Sequence, residues 1–428
     1  MPEEDDVEFS PADMELLREI ASEKSSEPSK EFVDWDAIRL SSKIHWTELV
    51  DDPTEPFPVL LPQVLKAITL IPDMDRQAAR IMAGLSMYSV ACSFYPIFAC
   101  VGKQPGIGKS KLCELVTEFY EGVTITGSDI TASGIKRKIN QSMFHDPAKG
   151  REISHNEKST VFVFDDIMPQ LLLRDEGLLY TLLKRGIERN GTVEMASRDS
   201  PMGIITFYVG CPKWISSISK FWLQPQFSEM HRRIIWIEFK HYKEWKEKDF
   251  SQFYSDCEPE NIVSISDVDW SGLPGHFKSY WNDPEVYTQF AEIKGKIRNK
   301  RKHGISKEHW QISTDLIATG VTCGYWENLD DAIADIKGYW EQSMADKADA
   351  RGAAVQLLEV FIQGVKGTED VYPVLNPKDV KAYLDAAYKD GGLDINPNPR
   401  TIEECMSQLN YRLGVDDWGL SRWFPVDR

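Results

Sequence analysis

The chain lacks the features that would commit it to several common classes. Its seven cysteines, at 92, 100, 113, 211, 257, 323 and 405, contain no C-x-x-C pair and are odd in number. That argues against a disulfide framework and for reduced, intracellular thiols. The eight histidines form no H-x-x-x-H pattern and no Cys/His cluster, so a zinc site is not expected. No internal repeat is present, and the acidic N-terminus has no apolar signal-peptide core. The stretch Ile81 to Val101 carries no charge and, at 21 positions, is long enough to span a bilayer. It is interrupted by Ser86, Tyr88, Ser89, Ser93, Tyr95 and Pro96 and leads into a glycine-rich turn. A buried helix followed by a buried strand is therefore predicted, and the protein is expected to be soluble, intracellular and without a membrane partner.

An excess of basic residues is also missing. Net charge is −18, which argues against nucleic acid as a partner when taken as a whole. The distribution alters that reading. Residues 1–60 hold 17 acids against 5 bases, whereas residues 101–238 hold 18 bases against 16 acids. The acidity belongs mainly to an N-terminal arm, and contact with a phosphate backbone would have to come from local patches of a nearly neutral core.

Residues 105–110 read Pro105-Gly106-Ile107-Gly108-Lys109-Ser110 and follow the apolar run Tyr95 to Val101. A strand that feeds a helix through such a turn is the setting of a Walker A phosphate loop. Glycines let backbone N–H groups turn toward a β-phosphate, a lysine reaches the β- and γ-oxygens, and a hydroxyl holds Mg²⁺. The predicted nucleotide-binding set is Pro105, Gly106, Ile107, Gly108, Lys109, Ser110 and Lys111. The helix that follows shows Leu112, Leu115, Val116 and Phe119 on one face. The pattern departs from the full motif at one place: Lys103 stands where the first glycine belongs, with Gly102 one residue earlier.

A second motif follows in order. Thr160-Val161-Phe162-Val163-Phe164-Asp165-Asp166 is apolar on both faces and ends in two carboxylates. Such a run suits a central parallel strand, and acids at its carboxyl end sit where open α/β sheets bind ligands. Asp165 with Ser110 is expected to form the metal shell, and Asp166 to orient an attacking water, although glutamate is the commoner residue in that role.

Strands at 95–101, 123–126, 160–165, 193–195, 204–209 and 234–239 alternate with helices at 109–121, 130–141 and 176–189, so an α/β fold with a parallel, doubly wound sheet is predicted. A polar sensor is expected at the end of strand 204–209, where Val209-Gly210-Cys211-Pro212 offers no asparagine and leaves the role unassigned. A positive charge on the γ-phosphate in the transition state often comes from a neighbouring subunit. Arg185, Arg189, Arg198, Arg232 and Arg233 are candidates, with Arg189 and Arg233 favoured. Two basic clusters, Lys136-Arg137-Lys138 and Lys294 to His303, are candidate phosphate-backbone contacts. Four regions are predicted: an acidic arm, partly disordered, over 1–58; an ATPase core with preceding helices over 59–240; a helical middle over 241–345; and a C-terminal domain over 346–428. The last holds helices at 350–364, 378–389 and 400–413 and an extended end, a pattern consistent with a winged helix.

The order of these parts, with Leu182-Leu183-Lys184-Arg185-Gly186-Ile187-Glu188-Arg189-Asn190-Gly191 and His231-Arg232-Arg233-Ile234, resembles the superfamily 3 helicases of viruses and plasmids. Residues 80–415, including Trp310, Gly324 and Trp326, look similar to ATPases of phage and plasmid replication proteins that are often linked to a DNA primase. The resemblance implies an AAA+-like P-loop NTPase core, ATP with Mg²⁺, self-association into a ring such as a hexamer, and action on single-stranded or forked DNA. The leading expectation is a replicative DNA helicase of a mobile genetic element. The alternative is an ATP-dependent oligomerising switch or loader that recruits a primase or other replication protein without unwinding.

Overall fold

A strand that is apolar on both faces is stable only inside a covered sheet. In a computed structural model, the runs that end at Val101, Phe164 and Glu238 meet that requirement together. The structure describes residues 43–126, 131–146, 151–152, 159–167, 171–172, 177–196, 204–223, 227–300, 304–366, 373–389, 393 and 397–426. Residues 1–42 of the acidic arm, Arg198, and 301–303 of the second basic cluster lie outside that set. His45 to Arg428 form one compact unit.

Helices α1 (Phe57–Ile68) and α2 (Met74–Leu85) precede the core. Then come β1 (Ile97–Val101), α3 (Lys109–Thr117), β2 (Gly122–Thr126), α4 (Ala132–Phe144), β3 (Thr160–Phe164), α5 (Leu178–Arg185), β4 (Thr192–Ala196), β5 (Ile204–Tyr208), β6 (Lys213–Ser217) and β7 (Ile234–Glu238). Five of these strands form one parallel sheet in the order β7-β1-β6-β3-β2. The chain is thus an α/β protein with helices packed on a parallel sheet. α3 lies against β1, β6 and β3, with Leu112, Leu115, Val116 and Phe119 all buried.

One strand assignment is corrected. The run 204–209 was expected in the central sheet, but β5 pairs antiparallel with β4 in a separate hairpin. The central place belongs to β6, Lys213-Trp214-Ile215-Ser216-Ser217. Ile204, Ile205 and Tyr208 of β5 are exposed, whereas all five residues of β6 are buried. Local β-propensity favours Ile-Ile-Thr-Phe-Tyr over Lys-Trp-Ile-Ser-Ser, and long-range packing overrides it. The Trp214 ring stacks on Phe98 of β1 with centroids 4.6 Å apart. The buried Lys213 ammonium finds three carbonyls, of Gly186 at 2.6 Å, Cys211 at 2.8 Å and Val209 at 2.9 Å. An ammonium has three donors to satisfy, and three acceptors make its burial tolerable.

The helical middle contains α6 (Leu273–Asn282), α7 (Pro284–Asn299) and α8 (Lys307–Thr322). It continues into α9 (Leu329–Lys366), a single helix of 38 residues. The boundary at 345/346 and the separate helix at 350–364 both fall inside α9. Arg80 of α2 pairs with Asp335 of α9, and the Trp326 indole also donates to Asp335 at 3.2 Å. The chain ends with α10 (Pro377–Lys389), α11 (Pro399–Gln408) and the antiparallel hairpin β8 (Tyr411–Val415) and β9 (Ser421–Pro425). The helix expected over 400–413 stops at Gln408, because Asn410 turns the chain at φ 61° and Tyr411 is buried as a strand residue. Arg412 therefore lies on a strand. Among the described residues no helix is long and apolar enough to cross a membrane.

Candidate functional site

The carboxyl ends of β1, β6 and β3 lie side by side, and each leads into a polar turn. After β1, Gly102 is closely packed. A Cβ on Gly102 would fall 2.1 Å from Ile107 Cδ1 and 2.8 Å from the Phe239 carbonyl. Gly102 is thus the residue that needs to be small, and Lys103, which occupies the motif's glycine position, is exposed. Pro105 and Gly106 are exposed and Ile107 is buried. Gly106 and Gly108 have φ of 73° and 97°, a region L side chains rarely adopt. Gly108 is the N-cap of α3 and provides no side-chain cap, so the first-turn N–H groups of that helix are left for another acceptor.

Lys109 is buried and folds back on the loop, donating to Gly102 O at 2.7 Å and Gln104 O at 3.3 Å. Burial lowers its pKa, and the charges of Asp166 and Asp165 oppose that shift. The Ser110 hydroxyl donates to Asp165 Oδ1 at 2.9 Å. The two motifs, 55 residues apart, therefore meet in a single hydrogen bond. Lys111 is half-buried in the first turn of α3. Burial and Asp165 push the Glu114 carboxyl up, with Lys111 acting the other way.

A third contributor was missed in the sequence. Ser216, from β6, donates to Asp165 Oδ1 at 2.6 Å and accepts the Asp166 N–H at 2.7 Å. It thereby holds Asp166 at φ 52°, a left-handed conformation, with the carboxylate exposed. A central strand placed at 204–209 hides the polar residue at the strand end; the sequence signal for it is Ser216-Ser217 after a tryptophan and an isoleucine. A cavity of about 700 Å³ adjoins the loop, bounded by Gly102, Gln104, Ile107, Phe239, Tyr388 and Lys389.

The favoured arginines stand elsewhere. Arg189 follows α5, and its N–H bonds to Ser93 O at 2.9 Å, ahead of β1. Arg233 immediately precedes β7, and its carbonyl accepts the N–H of Ile97 at 2.8 Å. Both lie at the amino ends of the strands, about one strand length, roughly 16 Å, from the glycine loop of the same chain. The Arg233 side chain donates to the Glu229 carbonyl, and burial lowers its pKa. Arg232 pairs with Glu308. A cavity of about 420 Å³ opens at Ser93, Phe94, Glu188, Arg189 and Asn190.

The basic clusters are partly consumed by the fold. Lys136 is buried, with its ammonium 5.5 Å from the centroid of the Phe207 ring, while Arg137 and Lys138 are exposed. Lys294 pairs with the buried Asp315, and Lys300 pairs with Asp330.

No protein-family model matches the chain, and comparison with curated proteins finds no match. The chemistry of the site therefore rests on its geometry. Hydroxyl and carboxylate oxygens in contact are hard donors suited to a small divalent cation. An uncapped helix start beside positive-φ glycines and a lysine suits a phosphate.

Proposed function

We propose that this chain is an ATP-hydrolysing motor with an AAA+-like P-loop core that acts on nucleic acid, and that it serves as a replicative DNA helicase of a mobile genetic element. The observation that carries the ATPase part is the hydrogen bond between Ser110 and Asp165, which brings the glycine loop and the paired acids to one point. The nucleic-acid part rests on the sequence resemblance.

On this reading Lys109 leaves the carbonyls of Gly102 and Gln104 and takes the β- and γ-oxygens of ATP. The uncapped first turn of α3 receives the phosphates. Ser110 and Asp165 would hold magnesium, which when bound neutralises charge on the phosphate oxygens. Asp166 orients the attacking water, and Ser216 fixes the two acids relative to each other and fills the sensor position that lacks asparagine. Arg189 or Arg233, too far from its own loop, acts on the nucleotide of a neighbouring copy, as a heterologous ring contact allows.

One observation favours the second reading, an oligomerising switch or loader. Lys136, Lys294 and Lys300, from the two clusters expected to touch a phosphate backbone, are buried or paired. Measuring ATP hydrolysis with and without single-stranded DNA separates the two, together with strand separation and particle size in a non-hydrolysable nucleotide. Strong stimulation with unwinding is expected of the motor. Assembly without stimulation or unwinding would transfer the assignment to the switch, and no hydrolysis at all would discard the motor.

A further inference from the structure

Asp315 on α8 is a fully buried carboxylate in the helical middle. Its Oδ2 accepts the N–H of Ser93 at 2.6 Å and of Phe94 at 2.7 Å. Lys294 of α7 lies 2.7 Å from its Oδ1 and donates to the Ser93 hydroxyl at 3.2 Å. A buried carboxylate is costly to desolvate unless paired and hydrogen-bonded, and here both conditions hold at one short segment of backbone.

That segment is the one that holds the arginine turn. Ser93 O accepts the Arg189 N–H at 2.9 Å, Phe94 bridges Glu188 antiparallel, and the Tyr95 N–H donates to Ile187 O at 2.8 Å. A single residue, Ser93, therefore stands between the Asp315–Lys294 pair and the Arg189 backbone. The same residues, Ser93, Phe94, Glu188, Arg189 and Asn190, bound the open cavity at this edge. A brace for the fold could have been made anywhere along the contact between α8 and the core. This one is bonded to the Ser93-Phe94 backbone, which in turn pairs with the backbone of Glu188 and Arg189.

We infer that Asp315, with Lys294, is a positioning residue for Arg189 in its action on a second copy of this chain: it holds the edge that completes the neighbour's site and leaves its own loop untouched. The inference rests on the reading that an arginine acts between subunits.

The test is subunit mixing with the full chain. D315N alone should lose ATP turnover by about tenfold or more, while it still binds nucleotide and assembles to the wild-type particle size. D166N should bind nucleotide, fail to hydrolyse it, and keep an intact arginine edge. Mixed in equal amounts, the two should recover turnover, because roughly a quarter of randomly formed contacts pair a competent loop with a competent edge. R189A mixed with D166N is the control. If the control recovers turnover and D315N does not, Asp315 only braces the fold and the inference falls. If the control also fails, the reading of Arg189 as a residue acting between subunits falls with it. K294M serves as the second variant, with the same expected recovery. Should both D315N and K294M unfold in thermal melts, the pair is structural and the inference is overturned.

Discussion

The two ends of the central sheet are built by different means. At the carboxyl ends, side chains touch side chains: Ser110 and Ser216 both donate to Asp165. At the amino ends, backbone holds backbone: Arg189 to Ser93, Tyr95 to Ile187, Ile97 to Arg233. The first arrangement consists of side-chain contacts, which can change partners by rotamer changes without moving the backbone. The second fixes the path of a turn; along it Arg189 is half-buried and the Arg233 side chain folds onto the Glu229 carbonyl. On the proposed function, the former suits groups that must change partners within their own pocket, and the latter suits an edge set for a second copy.

This contrast can be broken at either end. The largest effect is expected from Lys109→Ala. Turnover should fall by at least ~100-fold, as for removal of a single preorganised donor at a transition state, while the unfolding midpoint in urea stays near wild type. Turnover close to wild type would remove the loop from the chemistry.

The next effect is on stability. Gly210 lies under the arginine turn, and a Cβ there would fall 2.0 Å from Glu188 O and 2.4 Å from Arg189 O. Gly210→Ala should destabilise the fold by ~1–3 kcal/mol through overpacking against backbone that cannot move aside. Gly106→Ala meets no atom within 4 Å and carries only the strain of φ 73°, so it should cost less. Urea denaturation of the pair compares the two ends directly; equal costs would contradict the claim that the amino end is the rigid one.

The smallest effect sharpens the role of Ser216. Ser216→Ala removes one donor to Asp165 and the acceptor of the Asp166 N–H. A drop of about tenfold in kcat is expected, equivalent to about 1.4 kcal/mol, with KM for ATP changed much less. A rise in KM at constant kcat would instead make Ser216 a binding residue.

Much of the carboxyl end was legible in the chain. Pro105 to Ser110 and Thr160 to Asp166 are local patterns, and the structure brings their polar ends together. Gly102 resolves the irregular start of the loop, since the close approach to Ile107 and Phe239 falls on that residue and not on position 103. The central strand β6 is hidden in the sequence because Ile204 to Tyr208 looks more like a buried strand than Lys213 to Ser217 does. A lysine at the head of a fully buried strand conflicts with every local rule until its three carbonyl partners are known. The basic stretch near 294 misled in the opposite sense, since the charge on Lys294 is taken by a carboxylate 21 residues further along the chain.

Residue order alone specified the glycine turn, the Lys-Ser pair and the paired acids at a strand end, because these depend on backbone conformation and periodicity over a few neighbours. Which strand fills the centre of the sheet, which serine reaches Asp165, and which carboxylate secures the arginine turn were settled only by the folded chain. Ser216 and Asp165 are 51 residues apart, and Asp315 and Ser93 are 222 apart. Burial and hydrogen-bond satisfaction between such distant groups are properties of packing, which no local pattern carries.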